Sequence, residues 1–157
     1  MRRAAAIGLA LAAGCAAAPP APRLPPDPAE AVNSPYFDPP SDIGALHSAA
    51  TGQIWNELAP RFRGLERHSR LLRPGSRRDA ILAHYVRALP GWSAIRIDAQ
   101  PRGGWAFALR QGDCVVAVMA IRADADTPQP AAVLSNLKRG DAQLAEPADD
   151  ERPRSCG

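Results

Sequence analysis

Histidine is the residue type in this chain best suited to metal or proton chemistry, and it occurs three times, as His47, His68 and His84. Structural metal sites need four nitrogen or sulfur ligands, commonly at C-x-x-C or H-x-x-x-H spacing. Neither spacing occurs, and Cys114 stands alone in its region. His84 lies off the apolar stripe of its predicted helix, where we expect it to be solvated. The sequence therefore predicts no metal site.

Residues suited to nucleophilic or acid–base catalysis are equally scattered. The chain has no G-x-S-x-G turn to present a serine, and oxidation of Cys114 would remove its thiolate as a nucleophile. Asp98, Asp113 and Asp124 fall at predicted turns or strand ends, where aspartate commonly serves the turn itself. We therefore predict no catalytic residues, no cofactor and no enzyme activity.

The first fifteen residues have the features of an export signal. Met1-Arg2-Arg3 precede an apolar run from Ala4 to Ala13, and Gly14 precedes Cys15. A basic start, an apolar stretch and a small residue at its end make up a secretory signal. The run is shorter than the roughly 20 apolar residues that span a bilayer. Leu11-Ala12-Ala13-Gly14-Cys15 resembles the lipobox of bacterial lipoproteins, with its leucine one place upstream of the usual position.

This resemblance implies a signal peptide at residues 1–14, its removal, and acylation of the Cys15 thiol. The mature protein would then be anchored to a membrane from outside the cytoplasm. In a Gram-negative host, Ala16 after the cysteine implies the outer membrane, and we expect the periplasmic face. The resemblance covers residues 1–15 only, and the globular part resembles no family.

Two alternatives to a lipoprotein remain open. An ordinary secretory signal could be cut after Ala18, but Pro19 would then be the new N-terminus, which is unfavourable. A merely apolar cytoplasmic N-terminus would not need the paired arginines Arg2 and Arg3. Removal of residues 1–14 leaves 143 of the 157 residues, enough for one domain.

The charge of the mature chain is small. Loss of Arg2 and Arg3 lowers the formal net charge from +3 to +1, so the pI of about 9.1 overstates its basicity. Lys138 is the single lysine among the 19 cationic residues. Abundant arginine, alanine and proline indicate a GC-rich coding bias, so arginine clusters are expected by chance. Nucleic acid is not an expected partner, because the anchor would keep the protein away from cytoplasmic DNA.

Lipidation of Cys15 would leave Cys114 and Cys156 as the available thiols. An even pair in an oxidising compartment predicts a disulfide. Its loop of about 43 residues would stabilise the fold by about 4 kcal/mol on the chain-entropy model. The alternative is that Cys114 is a buried strand residue and Cys156 belongs to a flexible tail.

The chain divides by composition into four parts. After the signal peptide, residues 15–40 hold nine prolines, which indicate an extended tether of about 3.1 Å per residue. Residues 41–124 alternate between helical and strand periodicity and form the predicted small α+β domain. Residues 125–157 are a weakly structured polar tail, with one possible short helix at 133–137.

Three helices and three strands are predicted. Apolar residues at three- and four-residue spacing favour helices over 41–58, 61–72 and 77–89, the last with a Ser76/Asp79 capping box. Period-two alternation then favours strands at 94–98, 105–109 and 114–121. The fold class is therefore α+β, with two or three N-terminal helices followed by a three-stranded antiparallel β-meander. The third strand is apolar throughout, so it is covered on both faces or leaves one face to a partner.

Arginine is concentrated between residues 61 and 78, with seven arginines and one glutamate. On the predicted helix 61–72, Arg63, Arg67 and Arg70 share a face that could contact anionic lipid, an acidic envelope polymer or an acidic protein. The alternative is a solvated face that reflects codon usage.

The function that these features favour is that of a non-catalytic envelope lipoprotein. Its partners would be the membrane, through the lipid anchor, and an envelope protein, to which it presents the domain as an accessory or binding subunit. An exposed apolar strip along Val116, Val118 and Ala120 would suit that role. The alternative is an inhibitor or immunity lipoprotein that blocks a hydrolase or toxin with a polar loop such as 100–104 or 111–113. A small cell-wall or lipid enzyme is a third possibility.

Overall fold

The computed structural model describes residues 22–32, 39, 41–122, 124 and 126–139. Within them lie two α-helices, a five-stranded antiparallel sheet and a separate parallel pair of short strands. The elements in chain order are β1 (Arg23–Leu24), α1 (Ser41–Leu58), β2 (Glu66–Leu72), α2 (Arg78–Ala88), β3 (Ser93–Ile95), β4 (Gly104–Gln111), β5 (Cys114–Ile121), β6 (Gln129–Ser135) and β7 (Lys138–Arg139).

The strand order in the large sheet is β2-β6-β5-β4-β3, and every neighbouring pair is antiparallel. Strands β3 to β6 form a meander in chain order. Strand β2 pairs with the free side of β6, so β2 and β3 are the two edges. The segment containing α2 therefore carries the chain from one edge of the sheet to the other.

The sheet is covered by one helix on each face. All eight residues of β5 are buried, and alternate ones belong to different apolar clusters. Val115, Ala117 and Met119 share a cluster with Ile54 and Leu58 of α1. The other set packs with α2 and comprises Cys114, Val116, Val118 and Ala120. The continuous apolar run of β5 is thus explained by helices on both faces. The strip along Val116, Val118 and Ala120 is covered by α2 and is not the open surface that we expected.

The α+β class is correct, but the predicted three-stranded meander is wrong. Residues 66–72 form strand β2 and not the end of a helix. Gly64 has a φ of 68°, in the left-handed region, and this ends any helical path from Phe62 before the strand begins. The charged residues of β2 suit an edge strand, which exposes much of its surface to solvent.

The short helix expected at 133–137 is also wrong, because Gln129–Ser135 forms the strand β6. All seven of its residues are buried, which is the environment of a strand between two others. Pro130 lies just beyond the last β5–β6 pair, Ala120 with Ala131, and so does not interrupt the pairing with β5.

The helices α1 and α2 confirm the predictions for 41–58 and 77–89. The predicted capping box at α2 is wrong. Arg77 occupies the N-cap position without a side-chain hydrogen bond, and the Ser76 hydroxyl donates to the Arg73 carbonyl instead.

Residues 22–32, which belong to the predicted tether, lie against the domain. Strand β1 pairs with β7, and Ala31 forms an antiparallel bridge with Leu72. The Asp27 carboxylate accepts from Arg70 Nε, with both oxygens 2.8 Å away. His84, expected to be solvated, is half-buried, and its Nε2 lies 2.9 Å from the Pro26 carbonyl oxygen. Eleven residues of the predicted tether therefore cover the α2 side of the molecule.

Candidate functional site

An open groove of about 610 Å³ lies between α1 and the start of β2. The helix contributes one wall and the edge strand, with the residue before it, contributes the other. Its lining residues are Thr51, Gly52, Trp55, Leu65, Glu66, Arg67 and His68. The groove is the candidate functional site because it places aromatic, apolar and charged groups side by side.

Trp55 and Leu65 form the apolar part of the groove. Both are half-buried and pack against the cluster under α1. Gly52 lies one turn before Trp55, and a Cβ placed on Gly52 would meet no atom within 4 Å. Because Gly52 has no side chain, nothing projects from α1 at this point, and the Trp55 indole is accessible from that side.

Arg67 brings a positive charge into the same groove. It is exposed and in register with Leu134, which lies in the cluster under α1. Residues in register share a face of the sheet, so Arg67 extends on the α1 side. An arginine beside a half-buried tryptophan is a combination common in protein-binding surfaces.

The backbone of β2 is open along its first half. The Leu71 carbonyl accepts from Val32 N at 2.8 Å, so the backbone groups of Leu71 point away from β6. By the alternation of an antiparallel strand, those of Ser69 and Arg67 point the same way. Among the described residues, the pairing on this outer edge is limited to the Ala31–Leu72 bridge. The open part of the edge lies beside the groove.

The titratable groups of the groove do not form a hydrolytic set. Glu66 Oε2 and His68 Nε2 are 3.6 Å apart, a distance suited to an ion pair when the histidine is protonated. Thr51 supplies the one hydroxyl of the lining residues, but it is buried and donates to the His47 carbonyl at 2.7 Å. A hydroxyl held in that way is not positioned to attack a substrate.

His47 lies beneath the groove and not at its surface. It is 3% exposed, and its Nε2 donates to the Ala131 carbonyl of β6 at 3.1 Å. Burial lowers the pKa of His47 from its ordinary value of 6.5, and the nearby charge of Arg67 lowers it further, against the opposing effect of the Ala131 hydrogen bond. The neutral imidazole therefore fastens α1 to the sheet.

The stability of the domain is expected to fall as the pH falls below 6.5. The unfolded chain binds a proton on His47 near that pH, whereas the folded chain does not until a lower pH, so protons favour unfolding. Between the pKa values of His47 in the folded and the unfolded chain, this protonation should lower the free energy of unfolding by up to about 1.4 kcal/mol for each unit of falling pH. Urea denaturation between pH 7.5 and 5 should show this slope. In His47→Gln, which keeps a donor but cannot titrate, the slope should be smaller by that amount. An identical slope in both proteins would contradict a depressed pKa at His47.

The three arginines predicted to share a face are separated by the structure. Arg67 lines the groove, whereas Arg70 points to the α2 side and is held by Asp27. Arg63 is exposed in the turn before β2, and its carbonyl oxygen accepts from Asn136 Nδ2 at 3.2 Å. The common helical face does not exist, because residues 66–72 alternate across a sheet. A contact of Arg63, Arg67 or Arg70 with an anionic partner stays a prediction.

Cys114 is buried at the start of β5 and is disulfide-bonded. Cys156, its predicted partner, and Cys15, the predicted lipidation site, both lie outside the described residues. The pairing and the lipidation therefore stay predictions.

In the part of the chain that the structure describes, no three His, Cys, Asp or Glu side chains are grouped closely enough to hold a metal ion. Neither described helix has the length and apolarity needed to cross a bilayer.

Sequence reasoning missed Trp55 and His47 as functional or structural centres of this region. Trp55 is adjacent to Ile54 on α1, and its position beside the core stripe indicates a residue at the helix boundary between core and solvent. No local signal points to the second wall of the groove, because the apolar spacing of residues 61–72 predicts a helix where β2 lies.

Comparison of the chain with models of protein families, with curated proteins and with solved structures found no match. The functional interpretation therefore depends on the residues and the geometry alone.

Proposed function

We propose that this protein is a non-catalytic, lipid-anchored binding subunit of a cell-envelope assembly, and that the groove between α1 and β2 receives an envelope protein. The lipobox-like residues at Leu11–Cys15 support the anchor and the compartment. The observation that carries the binding role is the open groove, in which Trp55 and Arg67 lie beside the first half of β2, whose outer edge pairs with no other described segment.

The groove is best suited to an extended segment of polypeptide. The outward-facing backbone groups of Arg67 and Ser69 could pair with an added strand, and the groove could take side chains of that strand. Trp55 offers a large apolar surface, and Arg67 offers charge-assisted hydrogen bonds to a carboxylate. A partner segment with apolar and acidic residues would complement both.

The experiment is cross-linking in living cells, followed by mass spectrometry of the proteins recovered with the lipidated chain. We expect one envelope protein with the wild type and its loss with Cys15→Ser, which removes the acylated thiol. With the purified partner, Arg67→Glu should weaken binding about 30-fold, the effect of a hot spot worth about 2 kcal/mol. Arg87→Glu makes the same charge change at an exposed site on α2 and should leave the affinity unchanged.

Trp55→Ala provides a second test of the same groove. It should reduce binding by a similar factor, and the circular dichroism spectrum would show that the domain remains folded. Equal binding by the wild type, Arg67→Glu and Trp55→Ala would contradict the groove as the binding surface. Recovery of no envelope protein would contradict the binding role itself.

A second candidate, an inhibitor lipoprotein, is supported by the hairpin between β4 and β5. Asn136 Nδ2 donates to the Asp113 carbonyl at 2.8 Å, and Asn136 Oδ1 accepts from Val115 N at 2.9 Å. The adjacent Cys114 is disulfide-bonded, so the exposed loop 111–113 is held at its C-terminal side. Recovery of one soluble hydrolase or toxin regardless of Cys15, with binding lost on Asp113→Ala and retained in Arg67→Glu, would favour this candidate.

A further inference from the structure

Two cations lie together where residues 22–32 join the end of the domain. In the parallel pair β1–β7, Arg23 is in register with Lys138, and both side chains are exposed. Leu24, the next residue, packs against the cluster under α2. Since consecutive strand residues point to opposite sides, Arg23 and Lys138 point away from the core. Neither has an ion-pair partner among the described residues.

Two exposed arginines lie at the same end of the large sheet. Asn136, two residues before Lys138, binds the backbone carbonyl oxygens of Arg63 and Asp113. Arg110 is in register with Val115, whose N–H donates to Asn136. We call this region the basic end, formed by Arg23, Arg63, Arg110 and Lys138. The opposing charges at this end are the Asp113 carboxylate in the β4–β5 loop and the Glu66 carboxylate at the start of β2, which is in register with Ser135. Against four cations they leave a local excess of positive charge.

The chain joins the basic end to the predicted anchor by a short connection. Seven residues lie between Cys15 and Arg23, and the eight steps from one Cα to the next reach at most about 29 Å in a fully extended chain. A folded domain of about 110 residues has a radius of gyration of about 13 Å, which for a sphere corresponds to a diameter of about 34 Å, more than this reach. A lipid on Cys15 would hold the basic end nearer to the bilayer than the opposite end of the sheet.

We propose that the basic end faces the membrane and that Arg23 and Lys138 contact the headgroups of anionic phospholipids. The proposal rests on the lipid anchor of the proposed function and adds a defined orientation to it. Basic residues close to an anionic bilayer are attracted at short range, and the attraction is lost within a Debye length. In this orientation the loop 111–113 faces the bilayer.

Lys138 allows a direct test because it is the only lysine of the chain. The lipidated protein is placed in vesicles of phosphatidylcholine alone or with 30% phosphatidylglycerol, and the acylation rate of Lys138 by an N-hydroxysuccinimide ester is measured by peptide mass spectrometry. We expect acylation of Lys138 to be about 25-fold slower in the anionic vesicles. Each of the two cations, Arg23 and Lys138, should contribute a factor of about five, because attraction to an anionic surface is worth about 1 kcal/mol per basic residue. Protection should disappear in 1 M salt, where the Debye length is about 3 Å.

Two matched variants distinguish a lipid contact at the basic end from a general effect of the net charge of the protein. Arg23→Gln should reduce the protection of Lys138 to about fivefold. Arg102→Gln removes the same charge at the turn before Gly104, which pairs with Ile121 at the opposite end of the sheet, and should leave the protection unchanged. Equal acylation rates of Lys138 in the two kinds of vesicle would overturn the proposal. An equal loss of protection in Arg23→Gln and Arg102→Gln would overturn it as well.

Lipidation of Cys15 and contact of the basic end with anionic lipid can be tested independently. The mass of the Cys15 peptide reports lipidation without reference to Lys138. The Cys15→Ser chain without a lipid can be sedimented with phosphatidylglycerol vesicles, where Arg23→Gln should weaken binding about fivefold and Arg102→Gln should not. Absence of that difference would overturn the contact whether or not Cys15 is acylated.

Discussion

Replacement of Gly104 by alanine is expected to lower the free energy of unfolding by about 3 kcal/mol, at the upper end of overpacking effects. A Cβ on Gly104 would collide with the Ala120 carbonyl oxygen and lie 3.1 Å from its carbonyl carbon and from Ile121 Cα. These are backbone atoms of β5, the strand paired with β4 at this point, so they can move only if the pairing moves. Urea denaturation followed by tryptophan fluorescence measures the change.

Gly52→Ala is the matched control for this substitution. Gly52 lies inside α1, and a Cβ there meets no atom within 4 Å. Because glycine is a poor helix former, Gly52→Ala should raise the free energy of unfolding by about 0.5–1 kcal/mol. If Gly104→Ala were as stable as the wild type, the β4–β5 register at Gly104 and Ile121 would be wrong.

Leu58→Ala is expected to lower the free energy of unfolding by about 3 kcal/mol, within the range of about 2–5 kcal/mol for buried leucines. Leu58 is fully buried at the end of α1, where it joins the cluster beneath that helix. Truncation to alanine removes transfer free energy and leaves a cavity that the surrounding sheet can fill only in part. Chemical denaturation of the oxidised protein at pH 7.5 measures the loss.

The same substitution at Leu46 provides the control within the same helix. Leu46 is 51% exposed, so Leu46→Ala should change the free energy of unfolding by no more than about 0.5 kcal/mol. Comparable losses at Leu46 and Leu58 would mean that α1 is rotated on the sheet relative to the arrangement described above.

The contrast between these leucines shows how far periodicity can locate a core. The spacing in α1 predicts a core stripe of Ile43, Leu46, Ala50, Ile54 and Leu58, of which the last three are buried and Ile43 is half-buried. In place of Leu46 the helix buries the neighbouring His47, about 100° further around the axis. The imidazole can lie there because Ala131 offers a carbonyl oxygen. That acceptor belongs to a distant strand, so no pattern within α1 could have revealed it.

The errors in the fold have a similar origin. Strands β3, β4 and β5 follow one another along the chain and each pairs with the next, so the sequence signals that predict them are local. Strand β2 is recognisable only through its pairing with β6, which is distant in sequence, and Phe62, Leu65 and Leu72 happen to match a helical spacing. The periodicity of a short segment carries no information about its pairing with a distant strand. A charged edge strand such as β2 also shows only a weak alternation of apolar and polar residues.

The candidate site could be predicted only in part for the same reason. Arg67 was identified from the density of charge around it, but its position on a helical face with Arg63 and Arg70 was wrong. The groove exists because α1 and β2 lie side by side, and that arrangement depends on the order of strands in the sheet. Trp55 and Arg67 come together through tertiary structure alone.

The attachment of residues 22–32 also determines how the domain would respond to a mechanical load. A pull on the chain at Pro22 reaches the core through a series of contacts. The first are the β1–β7 pair and the packing of Leu24. The Pro26–His84 hydrogen bond and the Asp27–Arg70 ion pair follow, and the Ala31–Leu72 bridge comes last. Each of these is small compared with the central sheet, so they would yield before α1 or the five strands. Their release would free eleven residues and lengthen the connection by up to about 40 Å. The N-terminal segment thus forms a stepwise extensible link that spares the folded core from tension.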